Sequence, residues 1–175
     1  MTKVFTMKPL EGIAWNDKSI NLKDSKDEVR ASLGQPEEAN ENAYYYFNNE
    51  LRIDFDEKGC VEFIEFLGGI DGEIQPEIYG IKAFQVKSNE LLEYLETAND
   101  GDIDDSENGY AYAFLNISVG IYRGSTEADI EEMITEMQEE GVTILDNEDL
   151  EHEKKKAEHW ATIGIGTKGY YAERK

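Results

Sequence analysis

The chain of 175 residues is 39% hydrophobic and 11% aromatic, enough apolar material for one sizeable core and too much for a chain that stays unfolded. Its 39 acids against 17 bases give a formal charge of −22, a field that repels phosphate backbones and anionic lipid, so it argues against nucleic-acid and membrane partners and for a basic protein partner. No run approaches the roughly 20 apolar residues that span a bilayer, residues 1–9 lack the apolar segment and cleavage site of a leader, and a cytoplasmic location is expected.

The first strong signal is Ser25-Lys26-Asp27-Glu28, a capping box in which the serine hydroxyl and the glutamate carboxylate each satisfy a free backbone amide. Val29 and Leu33 supply the apolar stripe, and Gly34 with Pro36 stops a helix predicted over 26–33. Strands at 43–47, 51–55 and 61–67 follow as an antiparallel meander, with Asn48-Asn49 expected as a two-residue hairpin turn and Glu57-Lys58-Gly59 as the next turn. Leu51, Ile53 and Phe55 alternate with Arg52 and Asp54, the pattern of one buried and one wet face. In the third strand Phe63 lies on one face and Glu62, Ile64 and Phe66 on the other. Cys60 is the sole cysteine, so no intramolecular disulfide exists, and its apolar neighbours predict a buried thiol.

Gly68-Gly69-Ile70-Asp71-Gly72 reads as a boundary, dividing one domain into sub-modules 1–69 and 70–175. Residues 78–86 read as a strand, after which Ser88 is expected to cap a helix with Leu91, Leu92 and Leu95 inward, ending near Asn99. An acidic loop leads to a second hairpin, 110–115 and 117–122, turning near Leu115-Asn116. A shift of 63 residues carries the first helix onto the second, and one of 66 carries Leu51-Ile53-Phe55 onto Ile117-Val119-Ile121. The fold class expected is therefore α+β: antiparallel sheet with helices packed on one face, in a duplicated helix-then-hairpin module. A third helix opens on the capping box of Thr126 and Asp129, keeps Ile130, Met133, Ile134 and Met137 at helical spacing, and closes at Gly141. Met133 and Met137 read as core filler. Residues 142–145 read as a short buried strand, Asn147 or Asp149 as the start of a helix with Lys154 to Lys156 later in it, and 160–171 as a closing strand.

The stretch Leu22-Lys23-Asp24-Ser25-Lys26-Asp27-Glu28-Val29-Arg30-Ala31-Ser32-Leu33-Gly34-Gln35-Pro36, a capped helix ending in Leu-Gly-x-Pro before an antiparallel sheet, resembles the module of the small β-barrel-assembly lipoproteins and of β-lactamase inhibitory proteins. The latter are also tandem repeats of it. The resemblance covers about 45 residues of the first half well and the second half poorly. It implies a concave sheet surface that binds other proteins, although the export signal, lipid-attachment cysteine and repeat disulfides of those families are missing. An acidic protein with such a surface looks like a bacterial immunity protein.

Gly164-Ile165-Gly166-Thr167-Lys168-Gly169 spells G-x-G-x-x-G, but only six residues follow, too few for the helix and second strand of a dinucleotide site. Glycines beside Ile163 and Ile165 better suit an element packing closely on a strand. Asp100, Asp102 and Asp104 begin like a calcium loop, yet the sixth position is Asp105 instead of glycine and the twelfth Ala111 instead of glutamate, so no metal and no cofactor are expected. His152 and His159, about 10.5 Å apart along a helix, are too distant to share a zinc and read as surface residues. No triad, nucleophile elbow or zinc-protease motif is present.

The charge is uneven: residues 1–89 carry 17 acids and 10 bases, 90–158 carry 21 and 4, and 159–175 carry 1 and 3. Tyr44 and Tyr46 point to one face of their strand, Tyr45 and Phe47 to the other, so one pair must be exposed or covered. The expected partner-binding residues are Tyr44, Tyr46, Tyr110 and Tyr112 with Asp100, Asp102, Asp104, Asp105 and Glu107, exposed tyrosines beside carboxylates being suited to a basic partner. The function expected is a non-enzymatic immunity or antitoxin-like inhibitor of a basic toxin or enzyme. The alternatives are a carboxylate-based hydrolase or divalent-metal enzyme, and a DNA-mimic inhibitor.

Overall fold

The structure, a computed structural model, describes residues 2–142 and 145–172. In chain order the elements are β1 (Lys3–Lys8), β2 (Gly12–Trp15), β3 (Lys18–Asn21), α1 (Lys26–Leu33), β4 (Glu38–Ala39), β5 (Ala43–Tyr46), β6 (Leu51–Phe55) and β7 (Val61–Phe66). After a 3-10 turn at Gly69–Asp71 come β8 (Ile74–Ile78), β9 (Ile81–Lys82), α2 (Ser88–Asn99), β10 (Ile103–Asp104), β11 (Ala111–Phe114) and β12 (Val119–Tyr122). The helices α3 (Glu127–Glu140) and α4 (Asn147–Ala157) precede β13 (Thr162–Gly166). The architecture is the α+β arrangement expected, with two sheets.

The smaller sheet has the order β3-β2-β1-β8-β9. Its first three strands precede the earliest clear signal in the sequence. β1 buries only Phe5 and Met7, and it enters the sheet by pairing in parallel with β8, a contact between segments some 70 residues apart. The strand expected at 78–86 is displaced: the chain reverses at Tyr79 and Gly80, both at positive φ, so the strand proper is β8, with Pro76 opposite Phe5.

The larger sheet, order β10-β11-β12-β13-β7-β6-β5-β4, is antiparallel throughout. It is one topology written twice. Each four-stranded meander follows a helix, and the two join where Phe66 faces Ile163 and Ile64 faces Ile165. Ala43, Tyr44 and Tyr46 pair with Asp54, Ile53 and Leu51; 68 residues on, Ala111, Tyr112 and Phe114 pair with Tyr122, Ile121 and Val119. The structural offset of the hairpins is thus 68 and not 66, and Leu51 corresponds to Val119. Both hairpins turn through four residues, 47–50 and 115–118, where two were expected in the first. Phe47, Asn48 and Asn49 all take positive φ, which needs the wider loop and delivers the Phe47 ring to Phe5, 5.6 Å between centroids. The second copy differs by the acidic pair α3 and α4, inserted between β12 and β13.

Both capping boxes form. Ser25 Oγ accepts from Glu28 N at 3.2 Å while Glu28 Oε2 accepts from Ser25 N at 2.7 Å, and Thr126 and Asp129 repeat the exchange. Gly34 and Gly141 close those helices at φ 81° and 66°. Ser88 departs from expectation: it is the first residue of α2, not its cap, and it is buried. Its hydroxyl is taken by Arg123 Nη1 at 3.0 Å, its N–H donates to the Glu158 carbonyl, and its carbonyl accepts from Trp160 Nε1 at 2.8 Å. Asp146 caps α4 by accepting from Asp149 N. Of the strand expected at 142–145, positions 143 and 144 lie outside the described residues, and Val142 is 49% exposed. His159 lies past the end of α4 and is buried, its Nδ1 2.6 Å from the Lys155 carbonyl, whereas His152 is exposed as expected. Cys60 is half-buried, not buried: it precedes β7 and lines the depression shared with Asp56 and Lys58.

The core lies between the sheets. Phe5, Met7, Ile13 and Ile20 from the small sheet meet Ile53, Ile64, Phe66, Ile163 and Ile165 from the large one, and Val29 of α1 with Leu91 and Leu95 of α2 belong to the same cluster. Each such fully buried side chain contributes about 1.5–3 kcal/mol. α1, α2 and the small sheet thus pack on one face of the large sheet, and among the described residues the segment after β13 lies across the other.

Candidate functional site

That outer face is built by the residues that alternate with the core set. One row of cross-strand neighbours crosses all eight strands: Glu38, Tyr45, Arg52, Glu65, Gly164, Gly120, Ala113 and Asp104. Its first half carries long side chains and its second half almost none. A Cβ on Gly164 would collide with the Phe63 ring, one on Gly120 with the Tyr171 hydroxyl, and one on Gly166 with the Tyr170 ring. These three glycines exist so that rings can lie on the strands, the packing role expected for Gly164 and Gly166. Gly169, at φ 82°, reverses the chain after β13 and returns Tyr170 and Tyr171 over the sheet.

The resulting ridge of Phe63, Tyr170 and Tyr171 stands between two depressions. One, about 1020 Å³, is bounded by Tyr45, Asp54, Asp56, Glu57, Lys58 and Glu62. The other, about 340 Å³, lies over Gly120 and Ala113, with Phe63, Tyr112, Tyr122, Tyr170 and Tyr171 as walls and Glu65, Asp104 and Glu107 among its polar groups. Arg52 borders both. Its Nη2 is 3.4 Å from Glu65 Oε1, its Cζ stands 5.5 Å from the Phe63 ring centre, and its Nε lies 3.1 Å from Asp54 Oδ1 without the alignment of a hydrogen bond. Burial pulls the guanidinium down, but Glu65 and Asp54 outweigh it and hold the group above its ordinary value. Burial pushes the Glu65 carboxyl above the usual carboxylate range, against the opposing pull of Arg52.

The expected site residues divide between places. Tyr44 and Tyr46 are corrected: at 7% and 3% exposure they lie under the sheet, Tyr44 against Phe55 and the Arg30 guanidinium, Tyr46 donating to the Gly34 carbonyl at 3.0 Å. Burial pushes the Tyr46 hydroxyl up to about 12. Tyr45, the residue between them, holds the outer face. Tyr110 is exposed and donates to both Asp129 oxygens, away from this pocket. Tyr112 is half-buried against Trp160, its hydroxyl donating to Asn108 Oδ1 at 2.6 Å and accepting from Gly109 N.

The stretch 100–109 is partly ordered strand, because Ile103 and Asp104 pair with Phe114 and Ala113. Asp100 ends α2 in the left-handed region, and the Asp102 carbonyl accepts from Asn99 Nδ2 and Leu115 N. Asp100, Asp102 and Asp105 are exposed and do not line the pocket, whereas Asp104 and Glu107 do. Among the described residues no group of three His, Cys, Asp or Glu side chains could hold a metal ion, and no helix is long and apolar enough to cross a membrane.

Sequence reasoning missed Tyr45, Arg52, Phe63, Glu65, Tyr122, Tyr170 and Tyr171. The available signal was the pair of glycines in the last strand, which announced a close neighbour without naming it. No known protein family, no curated protein and no solved structure matches this chain, so its function is read from this face of the sheet.

Proposed function

We propose that the chain is a non-enzymatic protein-binding module of the immunity or antitoxin type, which engages a basic toxin or enzyme through the outer face of its larger sheet. The observation that carries this reading is the outer face of the eight-stranded sheet, where the stacked Phe63 and Tyr170 separate two depressions with carboxylates around both. Rings with polar edges at the centre of a partly desolvated surface are the groups that dominate protein interfaces. The helix α3, with seven acids and no base, adds a field that speeds encounter with a cation. The repeat of a helix and a four-stranded meander, with the sequence resemblance of residues 22–36 to the module of β-lactamase inhibitory proteins, is an analogy that agrees with the same reading.

The test is capture of a binding protein from a host lysate on the tagged full chain, followed by identification and measurement of its rates with purified components. Association should slow steeply with salt, the partner's own activity should fall on binding, and Tyr45→Ala with Tyr122→Ala should speed dissociation at unchanged stability. Absence of a partner, or one indifferent to salt and to both substitutions, overturns the reading.

A second reading, a carboxylate-based hydrolase or divalent-metal enzyme, draws on Asp54 and Glu65 flanking Arg52 with Glu65 held high. Arg52 engages both carboxylates, which is what a structural network does. Hydrolysis abolished by Glu65→Gln with partner binding intact would favour the enzyme.

A further inference from the structure

We propose that the pocket over Gly120 receives an arginine side chain from the bound partner. This rests on the protein-binding reading and names the group that one part of the surface recognises.

The sheet already holds one guanidinium on this face. Arg52 lies on the Phe63 ring with Glu65 and Asp54 on either side, the combination of ring stacking and carboxylate pairing that a planar guanidinium makes and a compact ammonium does not. The hairpin repeat carries Arg52 onto Gly120, 68 residues on and in the same cross-strand row. There the strand supplies no side chain from its own position, and the Tyr171 phenol fills the place a Cβ would take. Bordering that ring is the 340 Å³ pocket, near the lower end of the usual range for ligand pockets and large enough for one side chain.

Its walls and charges suit the same group. Tyr122, 46% exposed, and Tyr171 offer ring surface, Glu65 lies at the inner end beside Phe63, and Asp104 and Glu107 stand on the β10 side. Among the described residues Arg52 is the basic residue lining the pocket, against the carboxylates of Glu65, which it already meets, Asp104, which accepts from Ser106 N, and Glu107. The occupant is therefore cationic and flat. Arginine from a partner's loop meets both conditions, and beside Tyr171 and Tyr122 it would make ring and carboxylate contacts of the kind that Arg52 makes with Phe63 and Glu65.

The probe is N-acetyl-arginine amide, titrated into the full-length 15N-labelled chain, with N-acetyl-citrulline amide as the uncharged isostere and N-acetyl-lysine amide as the ammonium. Saturable amide shifts should concentrate at Phe63, Glu65, Asp104, Glu107, Tyr122 and Tyr171, and citrulline should bind about tenfold more weakly. Glu107→Gln and Tyr122→Ala should each weaken arginine binding several-fold. Both positions are at the surface, and an unchanged unfolding midpoint separates lost binding from lost fold. No saturable shift, an equal response to citrulline, tighter binding of lysine, or shifts centred on α3 overturns the proposal. The two readings fail separately. Arginine binding in the pocket without any captured protein sinks the immunity reading alone; a salt-sensitive partner unaffected by Tyr122→Ala, with no arginine titration, sinks this one alone.

Discussion

Phe63 and Tyr170 stack face to face on the outer side of the large sheet, ring centroids 4.7 Å apart and planes within 2° of parallel. Tyr171 meets both edge-on, at 6.0 and 5.2 Å. The stack pins the segment after β13 across the junction of the two meanders, and pairs of this kind contribute about 0.5–1.5 kcal/mol each beyond burial. It exists because Gly164 and Gly166 carry no side chain beneath it.

Gly164→Val and Gly166→Ala are therefore expected to destabilise by about 1–3 kcal/mol each, through displaced rings. Gly124→Ala, where a Cβ meets only the Tyr122 hydroxyl at 3.8 Å, should stay within about 0.5 kcal/mol. Urea midpoints of the three variants check this. Equal losses at Gly124 and Gly164 would refute the account of the glycines.

Neighbouring tyrosines should behave oppositely. Tyr44→Ala removes a core ring packed 4.7 Å from Phe55 and is expected to cost about 3–5 kcal/mol. Tyr45→Ala, on the outer face, should cost below about 1 kcal/mol and show its effect in partner dissociation. Chemical denaturation together with dissociation rates distinguishes the two.

Arg123 joins α2, β12 and the end of α4: its Nε donates to the Gly109 carbonyl at 2.8 Å, its Nη1 to Ser88 Oγ and the Ala157 carbonyl, and its Cζ lies 4.9 Å from the Trp160 ring. Arg123→Met should cost about 2–3 kcal/mol by leaving these acceptors unpaired. Arg123→Lys should recover only part, since an ammonium reproduces neither the fork nor the stacking. Thermal or urea unfolding measures both.

Two carboxyls should respond to pH with opposite sign. Asp129 is held below the usual carboxylate range first by the Thr126 backbone N–H and then by the Tyr110 hydroxyl. Its stabilisation of the α3 start is present above the unfolded pKa and is lost as pH falls through the lowered folded value. Glu65, raised by burial, contributes stability that is full below the unfolded pKa and lost as pH rises through the raised folded value. Carboxyl 13C titrations of Asp129 and Glu65, with urea midpoints of Asp129→Asn and Glu65→Gln across acid pH, test both signs. A Glu65 that titrates below free glutamate contradicts its burial.

Local chemistry was legible where neighbours in sequence are partners in space. The Ser25 and Thr126 capping boxes, the stops at Gly34 and Gly141, and the alternation of Leu51, Ile53 and Phe55 need only the preceding and following few residues. The hairpin repeat was visible too, but two residues out of register, because aligning apolar positions cannot distinguish Ile117 from Val119 as the equivalent of Leu51. Only the ladder does, by fixing which residue faces which. Ser88 looked like a cap for a similar reason: a serine before a leucine stripe is the local signature, and Arg123, 35 residues away, claims its hydroxyl.

The sequence by itself determined the α+β class, the three best-marked helices, the duplicated module, the concentration of acid in 90–158 and the need for something to lie on the glycines of the last strand. Each follows from short-range periodicity, capping or composition. Tertiary structure alone decided that β1 joins β8 in parallel, that the two meanders fuse through β7 and β13, and that Tyr45 instead of Tyr44 and Tyr46 faces outward. It also decided that Arg52, Phe63, Glu65 and the returning Tyr170 and Tyr171 form one surface. Strand pairing between distant segments sets these, since its register assigns every side chain to one face or the other, and no residue carries that register within itself.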